Sequence, residues 1–180
     1  MDVVRHGVLT RLGELWTLRY ERELGRPPEE VWAALTQAEQ LGQWFPSGVK
    51  GEWAVGAPLE FTFGGQELPP MPGTVLQVRE PRVLEYLWGP DTLKFDLTVG
   101  GAGTRLELLV TLEELGKAAR DGAGWHECLD LLETHLDGGR LWRPGERWGE
   151  LAPVYVAAFG PDAATVAPPE GWTVPEDEPV

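Results

Sequence analysis

Residues from about Glu14 to Leu24 alternate, with Trp16, Leu18, Tyr20 and Leu24 on one side and Thr17, Arg19, Glu21 and Glu23 on the other. That is the period of a half-buried strand. Gly25-Arg26-Pro27 breaks it. Pro28 suits a first helical turn, where its missing N–H costs little, and Glu29 and Glu30 stand where the helix dipole favours negative charge. Val31, Ala34, Leu35 and Ala38 then recur at helical spacing with Trp32 at the stripe's edge, and Trp44-Phe45-Pro46 follows as an aromatic lid.

From Gly48 to Thr111 the pattern predicts β structure throughout. Leu59, Phe61 and Phe63 alternate with Glu60 and Thr62, and Gly64-Gly65 with Pro69-Pro70-Met71-Pro72 makes a loop before a strand from Thr74 to Arg79. Glu80-Pro81-Arg82 turns into Val83 to Trp88, Gly89-Pro90-Asp91 into Leu93 to Val99, and Gly100-Gly101-Ala102-Gly103 into Arg105 to Leu112. Short turns between alternating runs make an antiparallel meander. Leu84, Tyr86, Trp88, Leu93, Phe95, Leu97, Val99, Leu106, Leu108, Val110 and Leu112 share its apolar face, while Glu85, Lys94, Asp96, Thr98, Arg105 and Glu107 share the other. Opposite charges meet across the last hairpin if Asp96 faces Arg105 and Lys94 faces Glu107, and that register is expected.

The segment from Lys117 to about Leu136 reads as one long amphipathic helix, with Trp125, Cys128, Leu129, Leu132 and Leu136 on a stripe and Gly138-Gly139 as its cap. A further amphipathic piece carries Trp148, Leu151, Ala152, Tyr155 and Phe159, with Pro153 starting, kinking or shortening it. These elements divide the chain into an N-terminal extension (1–13), one α+β domain (14–160) and an acidic, Pro-rich tail (161–180), expected to be mobile except where Trp172 docks.

Composition then narrows the function. The 15 Lys and Arg against 29 Asp and Glu leave a net charge of −14 and no basic patch, so nucleic acid and anionic membrane are poor partners. No apolar run reaches the roughly 20 residues of a membrane span and no signal-peptide pattern opens the chain, which points to a cytoplasmic protein. The single cysteine, Cys128, excludes an internal disulfide and falls on the buried helical stripe, as a small apolar group.

Reactive groups are few. His126 and His135 lie about half a turn apart around the helix, and His126 with Asp130 is an i, i+4 surface pair short of the three or four ligands zinc needs, so no metal is expected. Ser47, the only serine, sits in Pro46-Ser47-Gly48 without the strand-and-helix context of a nucleophile elbow. Glu85, Asp96 and Glu107 alternate away from the apolar face, and no cofactor motif stands out. The aromatic inventory is the sharper signal: Trp44, Phe45, Phe61, Phe63, Tyr86, Trp88, Phe95 and Trp125 converge on the apolar side of the sheet or its cover. They either fill a core or line a ligand cavity between sheet and helix.

The stretch 28–36, Trp44-Phe45-Pro46, Gly73-Thr74-Val75, Leu84 to Trp88 and Gly124 to Leu129 together resemble the activator of heat-shock-protein-90 ATPase homologue branch of the START-like (SRPBCC) helix-grip superfamily, over roughly residues 14–160. The resemblance implies a curved antiparallel sheet of six to seven strands around the long C-terminal helix, with short helices between the first two strands. It also implies a hydrophobic pocket between them, in a superfamily that binds lipids, sterols, polyketides or plant hormones. The reading that follows is a small apolar or amphipathic ligand held by the eight aromatics above, with a stress-linked chaperone partner as the alternative. A polyketide cyclase or aromatase is the third reading, for which Arg22 and Tyr86 are the titratable groups on inward-facing strand positions.

Overall fold

The computed structural model describes residues 5–64, 67–101 and 103–168, so the expected docking of Trp172 lies outside the described residues. Eight antiparallel strands form one sheet in the order β1-β2-β8-β7-β6-β5-β4-β3. They are β1 (Val8–Leu12), β2 (Leu15–Leu24), β3 (Gly48–Gly51), β4 (Pro58–Thr62), β5 (Met71–Arg79), β6 (Val83–Trp88), β7 (Asp91–Gly100) and β8 (Gly103–Leu112). The count exceeds the expected six to seven because both edges carry a short strand. β1 occupies part of the stretch set aside as an N-terminal extension, pairing Val8 with Arg19 through Leu12 with Leu15. β3 pairs Gly48 with Thr62 through Gly51 with Leu59.

Between β2 and β3 run α1 (Pro28–Thr36) and α2 (Ala38–Trp44). Pro28 opens α1, and the amides of Glu30 and Val31 donate to Pro27 O at 3.0 and 3.2 Å. Gln37 is extended (φ −80°, ψ 129°) and separates the two helices. A 3-10 turn, Leu115–Lys117, leads into α3 (Ala118–Leu136), whose end is closed by Gly138 at φ 71° and by the Gly139 amide donating to Thr134 O. α4 (Trp148–Phe159) keeps Pro153 inside it, and a second 3-10 turn, Pro161–Ala164, buries Ala163. Residues up to 168 follow the domain surface, with the Val166 amide donating to Gly116 O at 3.0 Å.

α3 lies on the inward face of the sheet, where Leu84, Leu93, Phe95, Leu97, Leu106 and Leu108 are all fully buried, whereas Val99, expected on that face, is 79 % exposed at the far end of β7. The last hairpin departs from the expected register: Asp96 faces Glu107, Thr98 faces Arg105 and Lys94 faces Leu109. The register runs through to Gly100 facing Gly103 at the end of the hairpin. The neighbouring β2 then supplies the missing counter-charges, because Arg19 donates to Glu107 at 2.9 Å and Arg105 to Glu21 at 2.7 Å.

Candidate functional site

A cavity of about 1030 Å³ lies between α2, α3 and the β3–β7 half of the sheet. Pockets for small ligands run to about 300–1,000 Å³, so this one sits at the large end. Of the eight expected aromatics, Phe45, Phe63, Trp88 and Trp125 line it. Their rings form one wall: Phe45 stands 5.3 Å from Trp88 and 5.8 Å from Trp125, and Phe63 stands 6.0 Å from Trp88. Trp44, Phe61, Tyr86 and Phe95 are placed elsewhere, in the packed layer behind that wall, each at most 1 % exposed. Phe61 backs Trp88 at 4.6 Å, Tyr86 stacks on Phe95 at 6.2 Å, and the Trp44 indole donates to Ala34 O at 2.8 Å. Strand alternation turns Phe61, Tyr86, Trp88 and Phe95 inward, Trp44 and Phe45 come from the end of α2 and Trp125 from the sheet-facing stripe of α3, and depth separates wall from core.

Charged groups line the cavity beside this wall, Asp91 directly across the strands from Trp88. Asp91, Lys117, Arg120, Asp121 and Glu127 all line it. Lys117 Nζ meets Asp91 Oδ2 at 2.8 Å, and the other Asp91 oxygen accepts the Glu113 amide at 2.9 Å. Arg120 Nε donates to Asp121 at 2.8 Å. Burial pushes the Asp121 carboxyl above its ordinary value, with Arg120 opposing the shift.

Glu127 is only 3 % exposed, and both its oxygens are occupied by one segment: Trp142 Nε1 and the Arg147 amide donate to Oε1 at 3.1 and 2.8 Å, and the Gly145 amide donates to Oε2 at 3.0 Å. That segment forms part of the cavity wall through Arg143, Pro144 and Gly145, and Arg147 stacks over the Trp142 ring at 3.5 Å. Burial raises the Glu127 carboxyl above its ordinary value in spite of these hydrogen bonds.

None of these charged groups stands out in the sequence. Asp91 reads as a turn residue, Lys117 as a helix start and Glu127 as a position off the apolar stripe. The available signal was the i, i+3 spacing of Lys117, Arg120 and, by one step, Asp121 around the first turns of a helix that also carries Trp125.

The remaining candidates are placed away from ligand chemistry. Cys128 borders the cavity, but burial pushes its thiol well above the ordinary value, so no thiolate forms at neutral pH. Ser47 borders it too, and its hydroxyl has no hydrogen-bond partner among the described residues. His126 is buried at 5 % exposure rather than forming a surface pair, with Nδ1 2.8 Å from Tyr155 Oη and Nε2 3.3 Å from Asp130. The Tyr155 hydroxyl also accepts the Gly7 amide at 2.7 Å. Arg22 belongs to this second cluster, donating to Arg5 O at 2.6 Å and Asp130 at 3.0 Å. Neither Arg22 nor Tyr86 is among the cavity-lining residues. Among the described residues, no group of three or more His, Cys, Asp or Glu side chains is placed to hold a metal, and no helix is long and apolar enough to cross a membrane.

Solved structures share this architecture. EF2215 from Enterococcus faecalis, a conserved protein of unknown function, superposes with a TM-score of 0.72 at 19 % identity, covering 84 % of this chain and 89 % of its own. CalU16 from Micromonospora echinospora gives 0.67 at 23 % identity, with 85 % and 96 % covered. The BPP1335 product of Bordetella parapertussis gives 0.65 at 27 % identity, with 83 % and 88 % covered. No curated protein is matched in sequence. The family profile described as Activator of Hsp90 ATPase homolog 1-like protein matches residues 26–137, more than half the chain, from the start of α1 through the end of α3. With that match and this sheet-around-helix fold, the chain belongs to the Activator of Hsp90 ATPase homolog 1-like family of the START-like helix-grip proteins.

Proposed function

We propose that the protein binds a small hydrophobic or amphipathic ligand in the cavity between sheet and α3. The observation that carries this reading is the cavity of about 1030 Å³ lined by an aromatic wall and by paired charges. Removing ligand apolar surface from water contributes about 2.5 kcal/mol per 100 Å² before association costs of at least about 4 kcal/mol, so a ligand must bury several such areas against the wall to bind. Trp88, Trp125 and Trp148 border the cavity, which makes indole fluorescence a direct reporter. Native mass spectrometry of protein purified from its own host, followed by fluorescence titration against lipids, sterols and polycyclic compounds, is the test. A co-purifying mass or a saturable response is expected. No bound mass and no response across the panel would remove the reading.

The family match supports a second reading, association with a chaperone of the Hsp90 class. Its test is the ATPase rate of the host's chaperone with and without the protein, and an unchanged rate with no co-purification sinks it. A cyclase reading has less support, since Arg22 and Tyr86 stand outside the cavity.

A further inference from the structure

Lys117 is the most deeply buried cation lining the cavity, and it keeps hydrogen-bonding capacity to spare. It is 8 % exposed and borders the cavity, and an ammonium carries three donors. Among the described residues its recorded contact is the single one to Asp91 Oδ2 at 2.8 Å. Its neighbours differ: Arg120 keeps 22 % of its side chain exposed and donates to Asp121 and to Ala167 O, and Glu127 accepts from three donors of the 142–147 segment. A buried ammonium bordering a cavity is poorly solvated, and an acceptor placed beside it recovers hydrogen bonds to a charged donor. The charge balance selects the kind of acceptor. Asp91 is 3 % exposed and already neutralises Lys117, so an anionic head would add a buried charge without a free partner, whereas a neutral oxygen adds none.

We propose that Lys117 is the specificity-determining donor of the cavity, and that the ligand it selects is an apolar molecule bearing a neutral acceptor oxygen, a ketone or similar carbonyl, which lies on Lys117 Nζ while the rest of the molecule lies against Trp88 and Trp125. The inference rests on the proposed ligand-binding function and adds to it the polar group the ligand must carry.

The test compares two probes of one shape, methyl naphthyl ketone and the isopropenyl naphthalene in which a methylene replaces the carbonyl oxygen. Their dissociation constants are measured by fluorescence on the full chain, in the wild type, in Lys117→Met and in the double variant Asp91→Asn/Lys117→Met. The double variant removes both charges while leaving an acceptor for the Glu113 amide, so the fold does not retain a lone buried carboxylate. The ketone is expected to bind the wild type about 10-fold more tightly than the hydrocarbon, and that ratio falls towards 1 in both variants. Reading the ratio within each protein cancels any general loosening of the fold. Equal binding of the two probes by the wild type would overturn the inference while leaving a ligand cavity in place. A 10-fold preference that persists in both variants would overturn the assignment to Lys117. Failure of both probes, where compounds of the wider panel bind, also refutes it, and failure of every compound removes the cavity reading itself.

Discussion

Replacing Trp44 by Phe separates core from cavity wall within one aromatic cluster. Trp44 has no exposed surface, and its indole N–H donates to Ala34 O at 2.8 Å. Ala34 lies in the last turn of α1, and the extended Gln37 takes the chain out of the helix before a later amide can reach that carbonyl. The indole therefore closes the C-terminal end of α1. Phenylalanine leaves the carbonyl buried without a donor, at about 1–3 kcal/mol. Loss of the second ring from a filled site adds about 1–2 kcal/mol through transfer and residual cavity. The sum is a destabilisation of about 3 kcal/mol, read as a shift of the urea midpoint by far-UV circular dichroism with an unchanged slope. Trp125→Phe is the matched comparison: its ring borders open volume, so the same change costs about 1 kcal/mol and instead weakens ligand binding. A Trp44 variant within 0.5 kcal/mol of wild type, or a Trp125 variant that loses as much as Trp44, would refute the division into wall and core (both thresholds scaled to ordinary mutational spreads of about 0.5–3 kcal/mol).

Gly122→Ala gains about 1 kcal/mol of helix propensity, but the new Cβ would stand 2.8 Å from Tyr155 Cδ1, on a ring held by Gly7 and His126. Overpacking of about 1–3 kcal/mol wins, and a raised thermal midpoint would contradict this. Asp130→Asn strands Arg22, whose side chain is 1 % exposed, and costs about 3 kcal/mol near pH 7 by urea titration. Burial pushes the Asp130 carboxyl up, but His126, Arg22 and Arg5 outweigh it and hold it below its ordinary 3.8, so the wild-type advantage is present above that pH and fades as pH falls through the lower folded value. Glu127 behaves oppositely: its folded value is raised, so its contribution is fully present below its ordinary 4.5 and is lost as pH rises through the folded value. Across that window the urea midpoint of Glu127→Gln should change less with pH than that of the wild type, and parallel profiles would refute the assignment.

How much of this was legible in the sequence follows from how local each feature is. The meander from Val83 to Leu112 and the long helix announce themselves through period alone, and five positions of the helical stripe return as buried or half-buried residues. β1 does not, because residues 8–12 are mostly exposed on the outermost strand, and β3, though inside the span read as β, offers one apolar side chain to mark it as a strand of its own. The register of the last hairpin was misread because charge pairing was judged within two strands, while Glu21 and Arg19 of a third strand supply the partners. The site divides in the same way. Inward direction follows from alternation on the strands and from the apolar stripe on α3, so the aromatics could be named, but the split between Phe45 and Trp44 depends on which side of α2's end each ring leaves. The charged part of the lining joins Asp91 to Lys117 across a hairpin and a turn, and no local pattern marks such a pair.

The Tyr155 hydroxyl, described above as a hydrogen-bonding neighbour of His126, also marks where homology and cooperativity part company. It ties α4 and the Gly7 backbone to α3, yet both tethered segments fall outside the family-matched residues 26–137. Within that span β8 would lose β2 and become a bare edge, and the buried Leu18, Tyr20 and Leu24 would vanish from the core. The stretch that evolution keeps recognisable is thus smaller than the unit that folds. Excising the matched segment as a minimal domain would yield an open, aggregation-prone sheet, and any grafting of this cavity into another protein must carry the strand before α1 and the helix after α3 along with it.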